Sequence, residues 1–198
     1  MDLTHPISAL APGLTGAVLE VLARATHPLT GRAVQRLVSR PASQAGVQKA
    51  LDRLADTGLV SQTGAGRALL HRLNRAHVLA PAVLEVVAMN ETIPIRIAEA
   101  VRIHAPGASS ALLFGSVARR EAAPHSDIDL LVVWPDTTEE STRWSAAADI
   151  AVAVARLTGN PCTPLVYTED EYAGLPERAP AFAASLDRDS IDLLAYRV

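Results

Sequence analysis

The stretch LLFGSVARREAAPHSDIDLLVVW, Leu112 to Trp134, sets two carboxylates beside an otherwise apolar run. An apolar segment ends at Gly115-Ser116, and a second one, DIDLLVVW, begins with Asp127 and Asp129 two residues apart. An acid inside a buried strand is costly unless a cation or hydrogen-bond donors compensate it. The neighbouring residues are therefore expected to provide that compensation.

The turn and the strand together predict a site for magnesium and phosphate. Gly115 ends one predicted strand and Ser116 opens a short helix, so backbone N–H groups at the turn can cradle an anion. Arg119 lies on the same helical face as Ser116 and can reach a phosphate. Asp127 and Asp129 are predicted to share one face of their strand. Two carboxylates on one face suit Mg²⁺, which prefers oxygen ligands.

The joint pattern resembles the nucleotidyltransferase motif of the DNA polymerase β superfamily, in which a Gly-Ser turn and an Asp-x-Asp strand bind a metal–nucleoside triphosphate. Ten residues separate Gly115-Ser116 from Asp127-Ile128-Asp129, and the run GSVARR looks most like the minimal nucleotidyltransferases, which include antitoxins. The resemblance covers about residues 92–170. It implies Mg²⁺ and a nucleoside triphosphate, ATP in the first instance, with Asp127 and Asp129 as catalytic metal ligands. It also implies four nucleotide-binding residues: Gly115, Ser116, Arg119 and Ser126.

The family's usual third carboxylate is missing from the expected place. It should stand in the strand CTPLVYT near Thr163, and this strand contains no acid. Glu169, Asp170 and Glu171 follow the strand, where acids are typical of a helix N-terminus. Arg120 also stands where many relatives carry glycine. Because two-metal catalysis needs an additional anionic ligand, the sequence leaves catalytic activity open.

The remainder of the second half predicts a small mixed sheet packed on helices, an α+β fold. Helices are predicted over STRWSAAADIAVAVARLTG, closed by Gly159, and over EDEYAGL and APAFAASLDRD, with SIDLLAYRV as a closing element. Trp134 and Trp144 are interpreted as packing anchors, Cys162 as a small buried apolar residue, and His125 as an exposed loop residue.

The first half reads as three short helices and a hairpin. Thr15, Thr30 and Ser43 are the predicted N-caps, and Gly58 ends the third helix. Two strands are predicted around Thr63-Gly64-Ala65-Gly66. The side chains predicted to face inward are Val34, Leu37 and Val38 on the second helix and Val47, Leu51 and Leu54 on the third.

This order resembles a winged helix-turn-helix over about residues 14–74, which implies that the third helix enters the major groove of double-stranded DNA. Residues 1–77 hold nine Lys/Arg and four Asp/Glu, a balance of +5, whereas residues 78–198 hold nine and seventeen, a balance of −8. A basic half is typical of nucleic-acid binding. A homodimer is expected because one winged helix contacts few base pairs. The candidate DNA-binding residues are Arg32, Arg36, Ser43, Gln44, Gln48, Lys49, Arg53, Arg67 and Arg72.

Two connecting helices are predicted over residues 75–104, with Pro94 near the start of the second. The predicted domains are 1–79, the winged helix, and 80–198, the nucleotidyltransferase-like domain with its motif core at 110–168. No apolar run approaches the ~20 residues of a membrane helix. The N-terminus resembles no secretory signal, and the single cysteine fits a reducing cytoplasm.

Three hypotheses follow. In the first, the chain is a DNA-binding regulator whose second domain binds Mg–nucleotide and transfers a nucleotidyl group to a protein or small molecule, with an antitoxin that neutralises a toxin protein as one form. In the second, it is a non-catalytic nucleotide sensor. In the third, it is a plain small-molecule nucleotidyltransferase whose helical N-terminal module serves dimerisation.

Overall fold

The computed structural model of the protein describes residues 1–195. Cα packing divides the chain into two compact units, one of residues His5–Met89 and one of residues 1–4 with the chain from Asn90 onward. Helices and small sheets occur in both units, so the predicted α+β class is confirmed.

The N-terminal unit begins with a short 3-10 helix, Pro6–Ala9. Its elements then follow in the order α1 (Leu14–Arg24), β1 (Leu29–Thr30), α2 (Gly31–Leu37), α3 (Gln44–Asp56), β2 (Val60–Ala65) and β3 (Ala68–Leu73). Strand β3 lies between β1 and β2 and is antiparallel to both. The core contains Leu22 of α1, Leu51 of α3 and Leu73 of β3, all almost fully buried.

Two of the three predicted N-caps of this unit are confirmed. The Thr30 hydroxyl accepts a hydrogen bond from the Ala33 backbone N–H, and the Ser43 hydroxyl accepts one from Gly46. The prediction for Thr15 is wrong, because α1 begins at Leu14 and its N-cap is Gly13, which has a positive φ of 76°. The preference of short hydroxyl side chains for caps thus identified the starts of α2 and α3 but not that of α1.

Two further predictions in this unit are wrong. Leu37 is 59 % exposed rather than buried, because α2 ends at Leu37 and the chain becomes extended at Val38. The hairpin turn lies at Gly66-Arg67 instead of Thr63–Gly66, because residues 63–65 pair with β3 and Gly66 supplies the positive φ.

Within residues 75–104, where two helices were predicted, the structure has one long helix. Helix α4 spans Ala80–His104 with Pro94 inside it. Proline lacks the N–H that would bond the Asn90 carbonyl, which normally breaks a helix. Burial of Ile97, Ala98 and Val101 after the proline keeps the helix in place. The division into compact units falls between Met89 and Asn90, inside α4, whereas the predicted boundary at residues 79–81 lies at its start.

The C-terminal unit places helices on a four-stranded sheet within the described residues. After α4 its elements are β4 (Ser110–Phe114), α5 (Gly115–Ala118), β5 (Asp129–Trp134), α6 (Glu140–Thr158), β6 (Leu165–Thr168), α7 (Glu169–Ala173), α8 (Leu175–Arg178), α9 (Pro180–Asp189) and β7 (Ile191–Asp192). The strand order is β6-β5-β4-β7, with β5 and β6 parallel and the other neighbours antiparallel. The closing element is confirmed as β7, and residues 196–198 lie outside the described residues.

The two faces of this sheet bury different clusters. Leu113, Leu130 and Val132 pack on one face with residues of α4 and α6. Leu112, Leu131 and Val133 point to the other face and pack with Leu175 and Leu186. Successive residues of a strand alternate between faces, so Asp129 shares the second face with Leu131 and Val133. We refer to this second face as the acid face.

The predictions for single residues of this unit have mixed outcomes. Gly159 closes α6 in a left-handed conformation, and Trp134 and Cys162 are buried, as predicted. Trp144 is 55 % exposed, so its interpretation as a packing anchor is wrong. It flanks the buried side of α6, about 60° around the helix from the buried Ala147. Among the described helices, none has the length and hydropathy that crossing a membrane requires.

Candidate functional site

The centre of the site is a contact between the Asp129 carboxylate and the backbone of Gly115. Phe114 pairs with Asp129 across the antiparallel β4–β5 ladder, so the next residue, Gly115, lies beside the acid. A Cβ placed on Gly115 would lie 2.0 Å from Asp129 Oδ2. Gly115 also has a φ of +72°. Glycine is therefore required here twice, for its backbone conformation and for the close approach of a carboxylate.

Asp127 lies just outside the strand. Strand β5 begins at Asp129, and Asp127 is exposed in the preceding loop. The sequence-based expectation of two acids within a buried strand is thus wrong for Asp127, and Asp129 itself is only half-buried. The cost of removing a carboxylate from water, expected for both acids, therefore applies to Asp129 alone.

The pKa of Asp129 is raised above its usual range by burial and by the neighbouring Asp127 charge, and Arg119 partly opposes the rise. A cation bound to both carboxylates would favour the charged form of Asp129 and oppose this rise. Burial of Cys162, together with the charges of Asp129 and Asp127, raises the pKa of its thiol to about 12. This thiol therefore stays protonated at neutral pH.

The residues after α5 form a C-terminal turn that an arginine closes. The Arg120 N–H donates to the Val117 carbonyl and the Glu121 N–H donates to the Ser116 carbonyl. This is the Schellman arrangement, in which the left-handed position is normally glycine. Arg120 occupies it with a φ of 59°. The departure from glycine noted in the sequence therefore falls on a position where the backbone prefers glycine.

Arg119 and Ser126 have local partners. Arg119 Nε donates to Glu121 Oε2 at 3.0 Å. The Ser126 hydroxyl accepts a hydrogen bond from the Ala123 backbone N–H, so it braces the loop before Asp127. Arg119 would have to give up its hydrogen bond to Glu121 in order to bind a phosphate. The observed contact of Ser126 stabilises the loop.

Asn160 also positions this loop, and the sequence reasoning missed it. The side chain is almost fully buried, and its Nδ2 donates to the Ser126 carbonyl at 2.9 Å. One residue later, the Pro161 carbonyl accepts from the Ile128 N–H. The signal in the sequence was a polar residue directly after the Gly159 cap, a position normally exposed. These two bonds fix the backbone on both sides of Asp127.

Thr163 occupies the place of the third carboxylate. Strands β5 and β6 pair with a constant offset, from Ile128 with Cys162 to Trp134 with Thr168. Continuing this register places Thr163 beside Asp129 on the acid face. The family resemblance predicted the third carboxylate near Thr163. The strand register places this threonine next to Asp129 in the sheet.

The acids after β6 lie at the other end of the sheet. The Glu171 side chain accepts from the Thr168 N–H while the Thr168 hydroxyl accepts from the Glu171 N–H, a capping box at the start of α7. Glu169 accepts a hydrogen bond from Ser109, which precedes β4. Asp129 begins β5 and Glu169 follows the end of its parallel neighbour, about 15–20 Å away at 3.3 Å per residue. They do not complete the acid pair.

Asp127 and Asp129 fit one magnesium ion, whereas a second ion lacks a ligand. The donor set is two carboxylates at an accessible loop–strand junction, the oxygen chemistry that Mg²⁺ prefers. Within residues 1–195, no group of three or more His, Cys, Asp or Glu side chains is arranged to hold a metal ion. Phosphate and water oxygens would have to complete the shell of a bound ion.

A cavity of about 660 Å³ lies on the acid face next to Leu112. Leu112 of β4, Leu175 and Leu186 form apolar walls, and Tyr172 and Asp187 supply polar groups. Leu112 lies two residues from Phe114, the residue opposite Asp129. The Phe114 ring packs edge-on against Phe182 of α9, with centroids 5.4 Å apart. The described lining of the cavity includes neither this aromatic pair nor Asp127 or Asp129.

The candidate DNA-binding residues are on the surface of the N-terminal unit. Within residues 1–195, none of their six cations forms an ion pair. All six are exposed: Arg32 and Arg36 on α2, Lys49 and Arg53 on α3, and Arg67 and Arg72 on the hairpin.

The polar residues predicted on α3 are partly engaged, and two acids stand among them. Ser43 caps α3, and Gln48 Nε2 donates to Asp52 Oδ1 at 2.8 Å. Gln44 is exposed near Gly31 of α2. Asp52 and Asp56 lie in the same open groove as Lys49 and Arg53. The sequence reasoning missed these acids, although each stands three residues after one of the two cations.

Comparison with known proteins assigns the middle of the chain to a family profile. Residues 97–160 match the profile described as Polymerase beta, Nucleotidyltransferase. The C-terminal unit contains a nucleotidyltransferase-type domain. The matched segment runs from α4 through β4, α5, β5 and α6 and thus includes Gly115, Ser116, Asp127 and Asp129.

Two solved structures show limited likeness to the chain. One, a crystal structure of a toxin–antitoxin with AMP-PNP, has a TM-score of 0.38 and 19% identity, over 52% of this chain and 74% of that chain. The other, described as a nucleotidyltransferase from Sulfolobus solfataricus, has a TM-score of 0.30 and 24% identity, over 51% of this chain and 76% of that chain. No curated protein matches the chain.

Proposed function

We propose that the protein is a DNA-binding regulator whose C-terminal unit binds a magnesium–nucleoside triphosphate. The observation that carries the nucleotide part is the Asp129 carboxylate held against the Cα of Gly115, with Asp127 two residues away. The acids would hold the ion, and the Gly115 turn with the Ser116 hydroxyl would hold phosphate oxygens. Bound Mg²⁺ would neutralise phosphate charge there.

The DNA part rests on the order of elements in the N-terminal unit. Helices α1, α2 and α3 with the β2–β3 hairpin, joined by the short β1, follow the order expected of a winged helix, which supports the proposal. Helix α3 would enter the major groove, and the six unpaired cations would contact phosphates. Asp52 and Asp56 oppose this on α3, so we assign most of the phosphate attraction to Arg32, Arg36, Arg67 and Arg72.

Nucleotidyl transfer is a second candidate, and the cavity on the acid face favours it. An acceptor held there would present a hydroxyl past the Phe114–Phe182 pair. Its oxygen would bond to the α-phosphorus, the bond to the pyrophosphate oxygen would break, and the hydroxyl proton would pass to water. Thr163 argues for slow transfer, because the usual third carboxylate would help to activate that hydroxyl.

Calorimetric titration of the full chain with Mg-ATP tests nucleotide binding. We expect binding by the wild type, loss of binding in Asp127→Asn/Asp129→Asn, and no loss in Glu91→Gln, which removes an exposed acid from α4. Equal binding by the wild type and the double variant contradicts the proposal for this site.

Incubation with α-labelled ATP, Mg²⁺ and cell lysate then separates the two candidates. Label that appears on an acceptor and requires Asp127 and Asp129 establishes transfer. Binding without transfer leaves a sensor, and then DNA affinity must change with Mg-ATP concentration. A DNA affinity that stays constant across Mg-ATP concentrations contradicts the sensor.

A further inference from the structure

The solvent side of α6 carries an apolar stripe with opposite charges at its ends. Glu140, Trp144, Ala148, Val152 and Arg156 follow one another at four-residue intervals, and all are exposed. Trp144 is 55 % and Val152 60 % exposed. Ala146, Ile150 and Val154 of the same helix are buried in the core. We call these five residues the α6 stripe.

The α6 stripe is unusual for a solvent face. At 100° per residue, the half-exposed Ala151 and Ala155 fall on one side of the stripe, and the exposed Ser141, Ser145 and Asp149 fall on its other side. The apolar surface is therefore a narrow stripe beside a polar one, and an exposed apolar stripe that contains a tryptophan marks an interaction site. Tryptophan and arginine are also the residue types enriched in interfaces.

Along the stripe, residues at equal distances on the two sides of Ala148 complement one another. Glu140 and Arg156 are each eight residues from Ala148, and Trp144 and Val152 are each four. In an antiparallel pair of identical helices centred on Ala148, each Glu140 faces the partner's Arg156. Each Trp144 then faces the partner's Val152. This is the self-complementarity that a two-fold interface requires.

We propose that α6 is a two-fold interface between two copies of this chain, centred on Ala148. The rows at four-residue spacing are the ridges that interlock when two helices cross at about −50°. The small Ala148 side chain at the crossing lets the helices approach, and the large Trp144 fills the groove beside it. Glu140 and Arg156 lie about 12 Å along the helix from the crossing point. At that angle their long side chains would point toward the opposite charge on the partner helix.

Two local observations fit this arrangement. Trp144 Nε1 donates to Glu140 Oε1 at 3.3 Å, which holds the indole along the stripe. Arg156 forms no ion pair within residues 1–195 and is free to meet a partner's carboxylate. A partner of other chemistry would need an apolar surface but would have no need of opposite charges at equal distances from Ala148.

The first test is self-association of the full chain by analytical ultracentrifugation. We expect a dimer for the wild type and a monomer for Trp144→Ala at the same concentration. Glu140→Arg places two arginines together and should weaken the dimer by about tenfold or more, as should Arg156→Glu. The double variant Glu140→Arg/Arg156→Glu restores the pairing and should recover most of that loss.

The second test uses the property that only a residue on the two-fold axis meets itself. Ala148→Cys should form a disulfide-linked dimer under mild oxidation. Ser141→Cys should not, because seven residues on each side of the axis separate the two copies by about 21 Å. The native Cys162 is buried, and wild type provides the blank.

Four results overturn the proposal: a monomeric wild type, a dimer whose affinity does not change in either charge reversal, equal cross-linking at positions 141 and 148, or a Trp144→Ala dimer without cross-linking through position 148. Equal cross-linking at both positions means parallel helices or random collision. A dimer that persists in Trp144→Ala without cross-linking through position 148 means that another surface associates. None of these results depends on nucleotide or DNA binding.

Discussion

At the scale of single residues, the site depends on a glycine that touches a carboxylate. Gly115 and Gly159 have the same φ of 72°, but only a Cβ on Gly115 would meet the Asp129 carboxylate. Substitutions at the two glycines therefore distinguish the free-energy cost of a side chain in the left-handed conformation from the cost of displacing the Asp129 carboxylate.

We expect Gly159→Ala to cost about 1–2 kcal/mol for the left-handed conformation and to leave Mg-ATP binding intact. Gly115→Ala should cost more and abolish Mg-ATP binding, because Asp129 must move. Urea unfolding and calorimetric titration of both variants check this. If the two variants lose equal stability and both bind Mg-ATP, the contact between Gly115 and Asp129 does not contribute to nucleotide binding.

The threonine beside Asp129 leads to a gain-of-function prediction. Thr163→Asp should raise nucleotidyl transfer by at least about tenfold, equivalent to about 1.4 kcal/mol of transition-state stabilisation, by supplying the third carboxylate. Thr163→Asn, of the same size and uncharged, is the control. The measurement is label transfer from α-labelled ATP at saturating Mg²⁺. Equal rates for the two variants would mean that position 163 does not contribute to transfer.

At the scale of elements, strand β3 buries a histidine in the N-terminal unit. His71 is 1 % exposed, and its Nδ1 has no hydrogen-bond partner among the described residues. Burial lowers the pKa of His71 below 6.5, and the charge of Asp52 only partly opposes this. The folded state therefore holds the neutral ring.

The consequence is a loss of stability in acid. As pH falls below about 6.5, the unfolded chain binds a proton that the folded chain refuses, so the free energy of unfolding decreases until the lowered folded-state pKa is passed. The slope from one histidine cannot exceed about 1.4 kcal/mol per pH unit. Urea unfolding at pH 7.5 and 5.5 measures it for the wild type and for His71→Leu. A wild-type slope that His71→Leu leaves unchanged would assign the effect to other groups.

Elements were predictable from the sequence where their signals are local. Thr30 and Ser43 cap their helices because a hydroxyl bonds a backbone N–H three residues on, within one segment. Pro94 gave the opposite result. Its local preference for a helix start was overridden by burial of Ile97 and Val101, which depends on residues distant in the chain.

At the scale of the whole molecule, the charge division bears on DNA binding. Four unpaired arginines of the N-terminal unit lie on elements other than α3, two on α2 and two on the hairpin. Each cation that neutralises a phosphate releases counterions, which makes affinity depend on salt.

We expect Arg32→Ala/Arg36→Ala to weaken binding to duplex DNA and to lower the slope of log affinity against log salt by about 2. The control is Arg188→Ala, which removes a cation paired with Asp189 in the other unit. Fluorescence anisotropy across a salt series measures both. A wild type without salt-dependent binding, or an unchanged slope in the double variant, would contradict the DNA proposal.

The sequence by itself determined the helices and strands around the site, the Gly-Ser turn, the acid pair and the absence of an acid near Thr163. These depend on periodicity, caps and spacing within short segments. Only the tertiary structure decided that Asp129 rests on Gly115, that Thr163 lies beside it and Glu169 at the far end, and that Trp144 faces solvent. Strand register and the covered side of a helix are set by packing between segments far apart in the chain, and no local pattern encodes them.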